Sequence, residues 1–158
     1  MNEVVIQTAR PDNADRAFIQ SLVETGAQEV ELAMNPALAA LKAVLIDAVP
    51  GTLSVRFTAP ETSLQGNGVV SGGTLTSMLD FAMALALLSK LPVGRTCATI
   101  TLTVNMLEAG HIGNFIARAK VDRLGGRIAF LSAELFDADG KRRVAHATAS
   151  FAVFDVRS

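Results

Sequence analysis

Residues 66–90 read GNGVVSGGTLTSMLDFAMALALLSK, and the rest of the chain is organised around them. A glycine-rich turn runs into a long apolar stretch whose single charge before its last residue is Asp80. The stretch predicts a helix from about 72 to 90, closed by Leu91-Pro92-Val93-Gly94, since proline cannot continue a helix and glycine favours its end. A helix that is apolar all round has to be covered. A carboxylate on such a helix is seldom buried unless something bonds it or uses it. Asp80 is therefore the first place to look for chemistry.

Strand patterns lie on both sides of this helix. Residues 43–49 and 52–58 predict two strands joined at Pro50-Gly51, with Leu53, Val55 and Phe57 alternating against Thr52, Ser54, Arg56 and Thr58. Downstream, CATITLTVNML at 97–107 alternates most regularly, placing Ile100, Leu102, Val104 and Met106 on one face and Thr99, Thr101, Thr103 and Asn105 on the other. Turns at Ala109-Gly110, Leu124-Gly125-Gly126 and Asp137-Ala138-Asp139-Gly140 separate three more strands, about 113–122, 127–136 and 141–154, and predict an antiparallel meander. Upstream, Pro11-Asp12-Asn13 starts a helix that the spacing of Phe18, Leu22 and Ala27 carries to about Ala33. Pro36 opens a short second helix to Lys42, and residues 1–10 form an arm or a short strand. The fold class is α+β, one long helix wrapped by one curved antiparallel sheet. An arm and helix over 1–35 pack on a single domain over 36–155.

Composition narrows the classes of function. Half of the 158 residues are hydrophobic, only 18% are charged, and mean hydropathy is +0.38, which is apolar for a small monomer and favours an oligomer. A net charge of −1 gives no global footprint for nucleic acid. One cysteine, Cys97, excludes an internal disulfide and suits the cytoplasm. The N-terminus lacks a signal-peptide core, and the apolar run Met78–Leu88 is short for a membrane span. Gly66–Ser71 departs from the dinucleotide fingerprint at its third glycine, and Val69 occupies the first glycine of a nucleophile elbow around Ser71. His111 and His146 lack ligand-like spacing, so no metal site is expected.

Taken together, the Gly-x-x-x-Gly-Gly turn at Gly68–Gly73, Asp80 on the following helix, Thr-Ile-Thr-Leu from Thr99, and Arg-Leu-Gly-Gly-Arg at 123–127 resemble the hotdog-fold acyl-CoA thioesterases. The resemblance is to the PaaI-type, phenylacetate-pathway branch of the 4-hydroxybenzoyl-CoA thioesterase superfamily, over about 36–154. It implies hydrolysis of an acyl-CoA, with no cofactor beyond the coenzyme A of the substrate, in a homodimer or homotetramer; the apolar composition, without tyrosine or tryptophan, suits a medium-chain or aryl acyl group. Asp80 is then nucleophile or general base, the Gly72 N–H an oxyanion donor, and Thr99 an orienting hydroxyl. Gln65, Asn67, Ser71, Gly73, Arg123 and Arg127 fall where substrate is bound, and Gly72 and Asp80 would come from opposite chains. The chain departs from the family pattern twice, with Ser71 in place of histidine and Gln65 in place of asparagine.

Each residue also has a plainer reading. In it Asp80 serves only to bond loop N–H groups, Thr76 or Ser77, Gly72-Gly73 lets helix and sheet approach, and Thr99 is an ordinary strand residue. Arg123, Arg127 and the run Lys141-Arg142-Arg143 would simply face solvent. The two departures keep open a non-catalytic acyl-CoA or acyl-carrier binding protein, and, further off, a hotdog hydratase or dehydratase.

Overall fold

The computed structural model describes residues 10–157, so the arm or strand expected at 1–10 lies outside the described residues except for Arg10. The elements run α1 (Ala14–Thr25), β1 (Val30–Glu31), α2 (Pro36–Ala40), β2 (Val44–Val49), β3 (Thr52–Ala59), α3 (Gly72–Leu88), β4 (Arg95–Met106), β5 (Gly113–Leu124), β6 (Ile128–Phe136) and β7 (Arg143–Asp155). One seven-stranded antiparallel sheet, in the order β1-β2-β3-β5-β6-β7-β4, curves around α3.

The core follows from the sizes of the facing side chains. α3 buries Leu75, Met78, Leu79, Ala82, Met83 and Leu85–Leu88. Beneath it the sheet presents small residues, with Ala119, Ala133 and Ala147 aligned across β5, β6 and β7. Large residues on the helix and small ones on the sheet allow the two layers to interlock at interior density. Phe57, Phe115 and Phe151 fill the remaining space and are buried.

Three expectations are corrected. The first helix stops at Thr25, because Gly26 takes a left-handed conformation (φ 62°) and its N–H closes back on Leu22 and Val23; the segment beyond it contributes β1 to the sheet. The four strands after α3 are not a simple meander. β5, β6 and β7 are, but β4 pairs with β7 and forms the far edge. The alternation in β4 also breaks. Thr99 stands opposite Phe151 and Thr101 opposite Ser150, so Ile100 is the extra residue of a bulge. Thr99 therefore shares the inner face with buried Phe151, whereas Thr101, Thr103 and Asn105 lie on the outer one.

Phe57 lies in β3, on the inner face of the sheet. Phe57→Ala should cost about 3–5 kcal/mol of unfolding free energy in a urea titration, since it leaves a cavity the core closes only in part. A loss under about 1 kcal/mol would mean that this wall of the core is loosely packed.

Candidate active site

The β4 bulge assembles the most suggestive contact in the molecule. The Thr99 hydroxyl donates to Asp80 Oδ1 at 2.8 Å, joining the middle of α3 to the edge strand. Asp80 is half-buried rather than enclosed, and Thr99 is exposed, because nothing among the described residues covers β4 on its outer side. None of the three plainer partners named for Asp80 is used among the described residues: Ser77 donates to the Gly73 carbonyl instead, and neither Thr76 nor a loop N–H bonds the carboxylate. Cys97 lies on the same face of β4, opposite Val153. Burial, and then the charge of Asp80, push its thiol up to about 12, so at neutral pH it stays protonated and is no nucleophile.

A second group of candidates meets at the N-terminus of α3. Ser71 caps the helix, its hydroxyl oxygen accepting from the Thr74 N–H at 3.3 Å and pairing with the Thr74 hydroxyl at 2.9 Å. The cap residue is itself held, with the Ser71 N–H on the Ser63 carbonyl and the Val70 N–H on the Gly110 carbonyl, both at 2.8 Å. Capping at the third helical residue leaves the N–H groups of Gly72 and Gly73 with no acceptor among the described residues. Packing does not require these two glycines. A Cβ at Gly72 would make ordinary contact with Met106 Cε at 3.5 Å, and one at Gly73 would meet nothing within 4 Å. By contrast, Gly110 is needed for close approach, since a Cβ there would crowd Phe115 and Leu75.

Gly72 opens on a cavity of about 360 Å³ lined also by Gln65, Leu75, Met106, Leu107 and Gly110. The Gln65 side chain turns onto its own loop, accepting the Asn67 N–H at 2.6 Å, and Asn67 is exposed. Gly72 and Asp80 lie two turns apart on one helix, about 12 Å along its axis. The structure thus gathers the sequence candidates into two groups, Asp80 with Thr99 and Gln65 with Gly72. Arg123 and Arg127 stand apart from both, exposed at the β5–β6 hairpin. A larger groove of about 530 Å³ lies on the far side of the sheet from α3, where Arg143 is tied to Glu134, and it includes none of these residues. The basic run at 141–143 is surface ion pairing, with Arg142 on Glu108 and Asp137.

Sequence reasoning missed the bulge at Ile100, which follows neither glycine nor proline and sits in the most regular alternation of the chain. It also missed Met106 and Leu107, whose exposure beside Gly72 had a signal in two large apolar residues ending a strand just before a turn. Among the described residues no helix is long and apolar enough to cross a membrane, and no three His, Cys, Asp or Glu side chains are grouped to hold a metal ion.

Comparison with known proteins agrees with this architecture. Residues 67–144 match the family model described as the thioesterase superfamily. No curated protein matches the sequence. Among solved structures, a phenylacetic acid degradation-related protein of Ralstonia eutropha is 28% identical, with a TM-score of 0.72 over 85% of this chain and 98% of that one. The Escherichia coli PaaI protein, from the phenylacetic acid degradation operon, shares the fold at 22% identity, with a TM-score of 0.72 over 90% and 95% of the two chains. A hypothetical thioesterase protein of Streptococcus pneumoniae, solved with coenzyme A, is 22% identical, with a TM-score of 0.68 over 77% and 93%. The chain thus has the hotdog fold, and over residues 67–144, its central helix and the strands that follow, it matches the thioesterase superfamily.

Proposed function

We propose that the chain hydrolyses acyl-CoA thioesters, releasing a free carboxylic acid and coenzyme A, with Asp80 as the reacting carboxylate. The observation that carries this reading is the Thr99–Asp80 hydrogen bond, made by a bulge at an open sheet edge. Bulges that re-aim one side chain recur beside active sites. As nucleophile, Asp80 attacks the thioester carbonyl, the thiolate of coenzyme A departs, and water cleaves the resulting anhydride. As general base, it takes the proton of a water that attacks the same carbon. In either case negative charge develops on the carbonyl oxygen. The unpaired Gly72 N–H at the positive end of α3 suits that charge, with Gly73 beside it. The space a Cβ would occupy at these glycines is open to a substrate. The reaction needs water and no further cofactor, and a medium-chain or aryl acyl group suits the apolar wall formed by Leu75, Met106 and Leu107.

Two turns of helix between Gly72 and Asp80 are too far for one carbonyl to touch both. Pairing β4 with β4 of a second copy resolves this. Antiparallel edges run the two α3 helices in opposite directions, so the N-terminus of one approaches the middle of the other. A twelve-residue uncovered edge carrying Ile100 at 53% exposure also calls for a partner on general grounds. We take the working unit to be this cytoplasmic dimer or a pair of them. Arg123, Arg127, Gln65 and Asn67 are left for the carrier end of the substrate, and Ser71 for holding the turn. The use of the Ser71 hydroxyl and the Gln65 carbonyl within their own loop favours one rival, an acyl-CoA binding protein without turnover.

Thiol release from short, medium, long and aryl acyl-CoAs separates the two. Wild type should turn over at least one of them, and Asp80→Asn should lower kcat by about a thousandfold with the fold and oligomer unchanged. Thr99→Ala should cost about tenfold, the effect of one hydrogen bond to a charged group. Tight binding with no thiol released, or an Asp80→Asn variant as active as wild type, would give the binding reading the lead. For the assembly, light scattering on Ile100→Asp should show a shift toward monomer, with turnover falling in proportion to the dimer lost. A monomer that hydrolyses at the full rate would refute the two-chain site.

A further inference from the structure

We infer that Arg16 is a positioning residue, the centre of a clamp by which α1 fixes α3 against β4 and so sets the Asp80–Thr99 geometry. Arg16 is a charged side chain only 4% exposed, and nothing in the proposed chemistry uses it. Its guanidinium holds both oxygens of Asp12, through Nε at 2.7 Å and Nη2 at 2.5 Å, and sends Nη1 to the Leu91 carbonyl at 3.2 Å. Gln20 donates to the same carbonyl at 2.7 Å and to that of Ser89 at 3.4 Å. Asp12 accepts the Gly94 N–H at 3.0 Å, and the Asn13 amide donates to the Thr96 hydroxyl at 3.0 Å.

Apart from the Arg16–Asp12 pair itself, these bonds run from α1 and its lead-in to the α3–β4 connection and the start of β4. α3 closes its own last carbonyls, with Ser89 donating its N–H to Leu85 and its hydroxyl to Ala86, and the Leu91 N–H donating to Leu87. But no basic residue lies in its last turn, and the connection beyond Ser89 leaves the Ser89 and Leu91 carbonyls to be met from elsewhere. Carbonyls beyond the helix end are taken by α1, and the Arg16 charge sits where the helix dipole favours a cation. On one side of the clamp α3 leads back to Asp80. On the other, β4 leads from Thr96 to Thr99, about 10 Å further along the strand. β4 is an edge strand held by β7 alone, so the clamp is a second restraint on the segment that carries the Thr99 hydroxyl. The Arg16 guanidinium holds the Asp12 carboxyl well below the usual carboxylate range, and the Gly94 and Asn13 N–H groups add to this against the opposing effect of burial, so the pair stays ionised at neutral pH.

The kinetic half of the test rests on the reading of Asp80 as the reacting group; the exchange half does not. Arg16→Met and Arg16→Lys are compared with wild type in the full chain, by amide hydrogen exchange and by kcat and KM on the best substrate of the panel. In Arg16→Met, exchange over residues 95–99 should quicken about tenfold or more while residues 102–106 stay within about twofold. At temperatures where each variant is folded, kcat should fall about tenfold with KM within about twofold, and Arg16→Lys should recover most of both. Folded Arg16→Met with wild-type exchange at 95–99, or with exchange raised equally along the whole sheet, would overturn the inference, as would an unchanged kcat. If Arg16→Met does not fold, Asp12→Asn, which leaves the bond to Leu91, is judged by the same criteria. If wild type releases no thiol from any substrate, the thioesterase reading fails and the exchange data alone decide the clamp.

Discussion

The rest of the structure answers one constraint: α3 has no polar face. An ordinary surface helix hides one stripe and wets the other, but from Leu75 to Leu88 almost every side chain of α3 seeks cover. A flat sheet would cover one side only, so the sheet curves, and the alanines on its inner face let it come close enough to do so. What the single sheet leaves uncovered is the side toward the edge of β4, where Asp80 lies. The one charge of the central helix thus occupies the one direction in which covering from within the chain runs out.

Much of this was legible in the chain. The all-apolar run predicted a buried helix, the alternation and turn signals predicted the strands, and the wrapped architecture follows because no other two-layer arrangement covers such a helix. Asp80 could be singled out for the same reason, as a lone charge among apolar residues. Its partner Thr99 was named from the family resemblance, but the alternation put it on the wrong face. A bulge is invisible to a period-two pattern, because one added residue moves everything beyond it to the other side while each half still alternates. The strand order was hidden too. Adjacent strands in sequence usually pair, and the separation of β4 from β5 depends on the distant pairing with β7.

The clamp was illegible for a different reason. Pro11-Asp12-Asn13 announced the start of a helix, and Asn13 does cap it. Nothing in the spacing of Asp12, Arg16 and Gln20 distinguishes an exposed i, i+4 pair from one folded under the end of another helix more than 70 residues away. Local charge patterns give the pairing within a helix, and only tertiary structure decides whether the pair is wet or dry. The apolar composition, by contrast, was legible in amount but not in place. The exposed Ile100, Met106 and Leu107 gather at the β4 edge and beside the start of α3, where a second copy would be met.

The position of β4 beyond β7 also sets an order of assembly. α3 and β4 are neighbours in sequence, yet β4 has no strand to lie against until β7, the last strand of the chain, is in place. The loop between them must therefore be closed across some fifty residues before the pairing is rewarded, and long-range pairings of that kind are late and slow. A nascent chain carries its carboxylate, its glycine turn and its bulged strand long before it can bring them together. The hydroxyl that meets Asp80 is thus held in place by β7, a strand that contributes no residue of its own to the contact.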